Sequence, residues 1–256
     1  MTLPDDISTE SPAWSGEDLE TNPHLAVDKA KRVEAMFTSI AHKYDLNNRI
    51  HSMWQDQVWR QRAVALSNVT EKDDVVDVAC GTGDLAIAFC KAGARSVLGI
   101  DFTLAMLDIA VTKSEIAGLP IEYRQGDAME LKLGDESADI VSIAFGIRNV
   151  QKPILALQEF SRILRSGGRV VVLEFSTPPN RVLRALNTFY THRIMPMTAT
   201  LIAGDTSGAY KYLPKSIDSF TNPSELAQEL ESVGFHDVAQ FPQSFGVCTI
   251  TTAMKR

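Results

Sequence analysis

The order of apolar and polar residues divides the chain into short and long stretches. From Val33, apolar positions recur at Met36, Phe37, Ile40, Ala41 and Tyr44, the spacing of one helix face. A second, aromatic-rich helix is predicted over roughly Ile50 to Leu66. Strand and helix then alternate: strand VVDVA (75–79), a helix carrying Leu85, Ala88, Phe89 and Ala92 that Gly93 ends, and strand SVLGID (96–101). A helix from Thr103 to about Ala117, a strand around IEYRQG (121–126) and strand DIVSIAF (139–145) continue the series. A helix from Pro153 to Leu164 stops at Ser166-Gly167-Gly168, and strand RVVVLEF (169–175) follows. Such alternation builds βαβ units on a doubly wound parallel sheet.

The segment from Arg181 to about Tyr212 breaks this rhythm, being aromatic, basic and Met-rich, with Pro196 expected to interrupt it. Order resumes at Asn222, where Asn222 as cap, Pro223 at the first helical position and Glu225 form a capping box. Leu226, Leu230 and Val233 line one face before Gly234, and HDVAQF and GVCTIT read as a closing hairpin. The predicted class is α/β: a doubly wound, mostly parallel, seven-stranded sheet with N-terminal helices and a helical lid insertion. Residues 1–30 are expected to form a flexible acidic tail, and 31–256 one domain with 181–212 as its lid.

A chain of 256 residues suits one large domain. A net charge of −7, with Lys and Arg scattered, argues against a nucleic-acid partner. Cys80, Cys90 and Cys248 lack the spacing of a metal site or a disulfide framework, so no metal is expected. Before Lys29 there is no Lys or Arg but seven acids, unlike a secretory signal or an organelle transit peptide. A cytoplasmic protein is expected.

The sharpest chemical feature is VVDVACGTGDLAIAF, a strand, a glycine turn and a helix start. Gly81, Gly83 and Ala86 satisfy the spacing of a dinucleotide site. A pyrophosphate or the amino-acid and ribose parts of S-adenosylmethionine could both lie on such a turn, with Asp101 accepting from ribose hydroxyls. Asp84 directly after the glycines opposes a pyrophosphate, whereas a ligand with an ammonium group tolerates it. Asp77 inside the first strand, Asp127 placed for an adenine amino group and the closing hairpin also favour S-adenosylmethionine.

Beyond this half, the sequence resembles the ubiquinone/menaquinone biosynthesis C-methyltransferases from about Val33 to Val247. KYDLNNRIHSMWQDQVWR is similar to that family's N-terminal signature, DVACGTGDLA to its nucleoside loop, IAFGIRNV to its fourth-strand segment and LRSGGRVVVLEFSTP to its second signature. YKYLPKSIDSFTNPSELAQELESVGF resembles its C-terminal third. The chain departs from the pattern at Asn47, Trp54 and Asp56, in the expected substrate-facing region, and at Cys80 and Thr251-Thr252.

The resemblance implies a class I, Rossmann-like methyltransferase fold and transfer of a methyl group from S-adenosylmethionine to a ring carbon of a reduced polyprenyl quinone. By the motif and the resemblance together, Gly81, Thr82, Gly83, Asp101, Phe102, Asp127, Ala128 and Ala144 would hold the cofactor, Ala144 filling a position that is often Ser. The acceptor ring needs an ionised hydroxyl to become nucleophilic. Arg148, after the fourth strand, is expected to stabilise the phenolate or orient a water, Asn149 to orient the ring hydroxyl, and Tyr44 to line the acceptor pocket. His51 and His192 are the candidate bases. The basic and apolar run from Arg181 is expected to cover the polyprenyl tail and touch the bilayer surface. Other readings are a methyltransferase for another small lipid or aromatic metabolite, an NAD-dependent oxidoreductase and a non-catalytic cofactor sensor.

Overall fold

The computed structural model describes residues 12–16, 18–20, 22–203 and 207–256. The expected tail acids Asp5, Asp6, Glu10 and Glu17, and Gly204 of the lid, lie outside these residues. Strands β1 (Asp74–Val78), β2 (Ser96–Asp101), β3 (Glu122–Gln125), β4 (Ala138–Ala144) and β5 (Leu164–Phe175) pair in parallel. The closing hairpin, β6 (Phe235–Gln243) and β7 (Cys248–Lys255), joins β5 antiparallel through β7, giving the order β3-β2-β1-β4-β5-β7-β6.

The strands read as near-continuous apolar runs because both faces are covered. Val75, Val97, Ile140, Val171 and Leu173 pack with Trp59 and Ala63 of α2 (Gln55–Leu66) and with Leu85 and Phe89 of α3 (Asp84–Lys91). The alternate positions Val76, Val78, Val141, Ile143 and Val172 meet Leu157 and Phe160 of α5 (Pro153–Ile163) and Leu226 and Leu230 of α9 (Pro223–Ser232). Each such Leu or Phe contributes roughly 1.5–3 kcal/mol of apolar transfer energy. The predicted capping box at Asn222 is present, its side chain accepting from the Glu225 N–H while Glu225 accepts from the Asn222 N–H.

Three expectations change. The first helix, α1 (Lys29–Ser52), starts earlier and ends later than its stripe suggested, stopping only where Met53 and Trp54 both adopt left-handed backbone. The region around Pro196 is helical throughout: α6 (Arg181–Phe189), a π-helical turn (Tyr190–Ile194) and α7 (Met195–Ala203) run on without a break. Proline has no N–H and crowds the carbonyl four residues back. The turn widens just before it, the Met195 N–H reaching back to the Tyr190 carbonyl, and the helix direction survives.

The N-terminal segment is the third change, because its described part is packed rather than loose. Trp14 and Leu19 are buried against Met36 and Ile40 of α1, Ala199 of α7 and Tyr212 of α8 (Ala209–Asp218). Apolar burial outweighs the acidic composition of this stretch.

Candidate active site

Between β1 and β4 the strand order reverses, and in open α/β sheets ligands lie at that point beyond the carboxyl ends of the strands. The loops after β1, β2, β3 and β4 meet there, and α1 closes over them. Together they line a cavity that opens at this edge of the sheet. Its wall includes Gly81, Asp101, Phe102, Asp127, Ala128 and Ala144 of the expected cofactor set, together with Tyr44 and Asn149.

Two non-glycine residues, Ala79 after β1 and Phe145 after β4, hold positive φ angles of 51° and 57° at this edge. Backbone of that kind persists where surrounding contacts fix it, typically beside ligands. The two glycines of the turn differ in purpose. A Cβ on Gly81 would meet no protein atom within 4 Å, although Gly81 borders the cavity, so this turn is an open cradle. A Cβ on Gly83 would lie 2.5 Å from the Tyr123 hydroxyl; Gly83 serves the packing of β3 and is absent from the cavity wall.

Asp101 closes the loop from behind, one carboxylate oxygen accepting from the Gly81 N–H at 2.7 Å and the other from the Thr103 N–H at 2.8 Å. Burial pushes its carboxyl up, and those backbone N–H groups pull it back. Asp127 accepts from the Met129 N–H at 2.8 Å, which turns the loop after β3 toward the cavity.

A smaller pocket behind the turn shares Tyr44, Ala79, Gly81 and Ala144 with the main cavity and is lined also by Asp77 and Thr82. Asp77 and Ser142 are register partners on β1 and β4, and the Ser142 hydroxyl donates to Asp77 Oδ1 at 2.7 Å. Asp77 Oδ2 is buried and makes no hydrogen bond of ordinary geometry among the described residues, although the Ala86 N–H and the Arg60 charge act on the carboxyl and favour its ionised form. Burial pushes this carboxyl up to about 7.

Asp84 also lines the smaller pocket, and its charge is matched by cations of the protein. It pairs with Lys113 at 2.5 Å and Arg49 at 2.9 Å. Burial alone would raise its carboxyl, but Lys113, Arg60 and Arg49 overcome this and hold it down at about 2. Lys113 also pairs with Asp45 at 2.6 Å, and Asp45 accepts from the Thr82 hydroxyl at 2.6 Å. The tyrosine–aspartate pair of α1 thus divides its work: Tyr44 faces the cavity, and Asp45 fastens α1 to the glycine turn.

Arg148 is placed differently from expectation. Its guanidinium is buried outside the cavity wall, paired with Glu174 of β5 at 2.6 Å, donating to the Phe145 carbonyl at 2.6 Å and lying over the Phe175 ring. It supports the loop that carries Asn149 rather than reaching a ligand. The Asn149 side chain donates to the Phe145 carbonyl at 3.2 Å and accepts from the Tyr212 hydroxyl at 3.0 Å.

Neither histidine borders the cavity. His51 sits between the Asn47 carbonyl and the Thr198 hydroxyl, and His192 pairs with Asp218 at 2.9 Å, so both join the lid to its neighbours. The departures Asn47 and Asp56 likewise lie elsewhere: Asn47 donates to the Tyr210 hydroxyl and Asp56 pairs with Arg60. Among the described residues, no group of His, Cys, Asp and Glu could hold a metal ion.

Sequence reasoning missed Val33 and Phe37 as cavity residues, reading them only as a packing stripe. Their signal was there: α1 has two apolar sides, one buried with Trp14 through Met36 and Ile40, the other turned to the cavity. Glu174 and Tyr212 gave no local signal, since their partners are distant in sequence.

With this geometry, similarity to known proteins becomes informative. The sequence profile of the ubiE/COQ5 methyltransferase family matches residues 25–255. The chain belongs to that family. It is 38% identical over 245 residues to the ubiquinone/menaquinone biosynthesis C-methyltransferase UbiE of Geobacter sulfurreducens, covering 93% of this chain and 94% of that one. It is 41% identical to the demethylmenaquinone methyltransferase of Thermus thermophilus over 216 residues, covering 84% and 97%. Among solved structures, a SAM-dependent methyltransferase from Thermotoga maritima superposes with a TM-score of 0.61 at 18% identity, covering 87% of this chain and 99% of that one. The [4+2]-cyclase SpnF superposes at 0.65 with 16% identity, covering 88% and 96%. These two establish the fold; a cyclase among them illustrates that fold does not fix reaction. Family membership makes this ubiE/COQ5 protein an S-adenosylmethionine-dependent methyltransferase that acts in quinone biosynthesis.

Proposed function

We propose that the protein methylates a ring carbon of a reduced, polyprenyl-substituted quinone, a demethylated naphthoquinol or its benzoquinol counterpart, at a membrane surface. The observation that carries this reading is a pair of pockets that share Tyr44, Ala79, Gly81 and Ala144: one is a glycine cradle with an unpartnered buried carboxylate oxygen, the other a chamber lined by Asp101 and Asp127 and also by Val33, Phe37, Tyr44, Phe145 and Asn149. S-adenosylmethionine, when bound, supplies an electrophilic methyl group.

The residues present fit that group. Gly81 leaves room for it, Asp77 Oδ2 offers a carboxylate to an ammonium, and Asp101 and Asp127 offer acceptors for ribose hydroxyls and an adenine amino group. Thr82, Phe102, Ala128 and Ala144 complete the wall, with no hydroxyl at Ala144. Val33, Phe37, Tyr44, Phe145 and Asn149 line the acceptor side. One amide hydrogen of Asn149 is used by the Phe145 carbonyl, and the second is available to a ring oxygen. Charge developing on that oxygen would be met by a fixed donor, and the apolar wall would exclude water while the reacting carbon is aligned. Arg148 holds this loop in place through Phe145 and Glu174.

The lid supports the membrane part of the reading. Val182, Leu186, Phe189, Met197 and Leu201 are all exposed along α6 and α7, with Arg181, Arg184 and Arg193 beside them. An exposed apolar row with basic neighbours suits an anionic bilayer surface. Among the described residues no helix is long and apolar enough to cross a membrane.

The test is an anaerobic assay with methyl-labelled S-adenosylmethionine and both short-chain quinols. Label on a quinol ring supports the reading, and the ratio of the two acceptors sets its preference. Label on neither, with cofactor binding demonstrated in the same sample, overturns the acceptor assignment. Flotation with anionic vesicles is expected for the native chain and lost on Phe189→Asp with Leu201→Asp; no flotation of the native chain overturns the membrane part.

A further inference from the structure

Tyr212 lies outside the cavity wall but touches what lines it. Its ring is 2% exposed, and its hydroxyl donates to Asn149 Oδ1 at 3.0 Å. The Phe145 carbonyl can only accept, so it fixes the amide nitrogen of Asn149 on its own side. The Tyr212 hydroxyl then occupies the amide oxygen, and the two together leave one orientation and one unused N–H.

The tyrosine is itself held from the far side. The Trp14 indole stacks on its ring with centroids 4.6 Å apart and planes inclined by 22°. The Trp14 backbone N–H donates to the Ser207 carbonyl at 3.0 Å, and a Cβ on Gly208 would lie 2.3 Å from the Trp14 carbonyl oxygen. That glycine is required for the segment to lie so close to α8. Arg32 fastens the same segment to α1, lying over the indole at 5.4 Å, donating to the Ala13 carbonyl and pairing with Asp18 at 2.8 Å. Ala13, Trp14 and Asp18 precede residues 25–255, the stretch matched by the family profile.

We infer that Tyr212 is a positioning residue for methyl transfer, holding the Asn149 amide so that its free N–H faces the acceptor, and that Trp14 fixes Tyr212 in turn. This rests on the reading of Asn149 as the residue that meets the acceptor ring oxygen. The tyrosine stays a donor across the working pH range because burial pushes its phenol up to about 12.

Three full-length variants test the inference: Tyr212→Phe, which keeps the ring stack, Asn149→Ala, and the double variant. Each is assayed for kcat and KM with the reduced quinol, and for S-adenosylmethionine affinity by calorimetry. Losing one orienting hydrogen bond corresponds to about 1.4 kcal/mol, so Tyr212→Phe is expected to lower kcat about tenfold. Donor affinity should be unchanged, and adding Tyr212→Phe to Asn149→Ala should cause no further loss. Trp14→Ala is expected to lower kcat in the same direction, and likewise to add nothing to Asn149→Ala.

If Tyr212→Phe lowers kcat by the same factor with and without Asn149, the tyrosine does not act through it and the inference falls. If Asn149→Ala lowers kcat while Tyr212→Phe leaves it unchanged, the inference falls and the role of Asn149 stands. If Asn149→Ala has no effect on kcat, that role and this inference fall together. Loss of donor affinity in Tyr212→Phe would mark a general structural defect and also overturn it.

Discussion

Replacing Asp77 by asparagine keeps the side-chain shape and an oxygen able to accept from Ser142, but removes a proton equilibrium. The carboxyl is enclosed on the β1–β4 face with one oxygen unpartnered, and burial raises it from 3.8 to about 7. The folded protein therefore holds this proton more tightly than the unfolded chain does. Stability from the group is full below about pH 3.8, declines as pH rises and levels off above about pH 7. At 1.36 kcal/mol per pH unit the whole span is about 4 kcal/mol, of which about 2 kcal/mol falls between about pH 5.5 and pH 8. Urea unfolding followed by tryptophan fluorescence at those two pH values, for native and Asp77→Asn chains, gives the difference while common titrations cancel. Relative to native, the variant should gain about 2 kcal/mol from the lower to the higher pH. With saturating S-adenosylmethionine the gain should shrink, since an ammonium next to Asp77 favours the charged form. A pH-independent difference between the two chains would refute the reasoning, because Asp77 would then be charged and partnered without ligand.

Three further substitutions probe the site and the packing around it. Arg148→Met leaves Glu174 buried without its partner and should cost about 3–5 kcal/mol in urea unfolding, most of it recovered by adding Glu174→Met; equal stability of the single and double variants would contradict the pairing. Gly83→Ala forces a Cβ against the Tyr123 hydroxyl at positive φ and should cost about 1–3 kcal/mol. Gly81→Ala has open space and should instead weaken cofactor affinity, measured by calorimetry, with a smaller loss of stability. The reverse assignment of these two effects would show that Gly83, not Gly81, borders the ligand.

The sheet was legible because its information is local. A strand buried on both faces must be apolar at both parities, and Val75–Val76, Ile140–Val141 and Val170–Val172 announce that without reference to anything distant. The loops after the strands were legible for a similar reason, since Gly81, Asp101 and Asp127 sit at strand ends and strand ends set the cavity. Arg148 was misplaced because its environment is made by Glu174, twenty-six residues on, and no pattern near FGIRNV reports that partner. The cations that neutralise Asp84 were hidden in the same way: they come from α1 and α4 (Leu104–Ile116), and only the fold brings Arg49 and Lys113 to it. Trp14 was overlooked because it lies among acids with no periodicity, and a single large aromatic can anchor a segment whose average composition suggests solvent.

The widened turn at Tyr190–Ile194 has a consequence for phase. An α-helix advances about 100° per residue, so a uniform helix would carry Met197 and Leu201 about 60° and 100° around from Val182. One extra residue in a π turn subtracts roughly one such step and brings both back to within about 40° of the line set by Val182, Leu186 and Phe189. The turn that accommodates Pro196 also acts as a vernier, realigning two helical halves into one row. Deleting a single residue there would straighten the helix and split its outer edge into two lines facing different ways, although every apolar side chain would still be present.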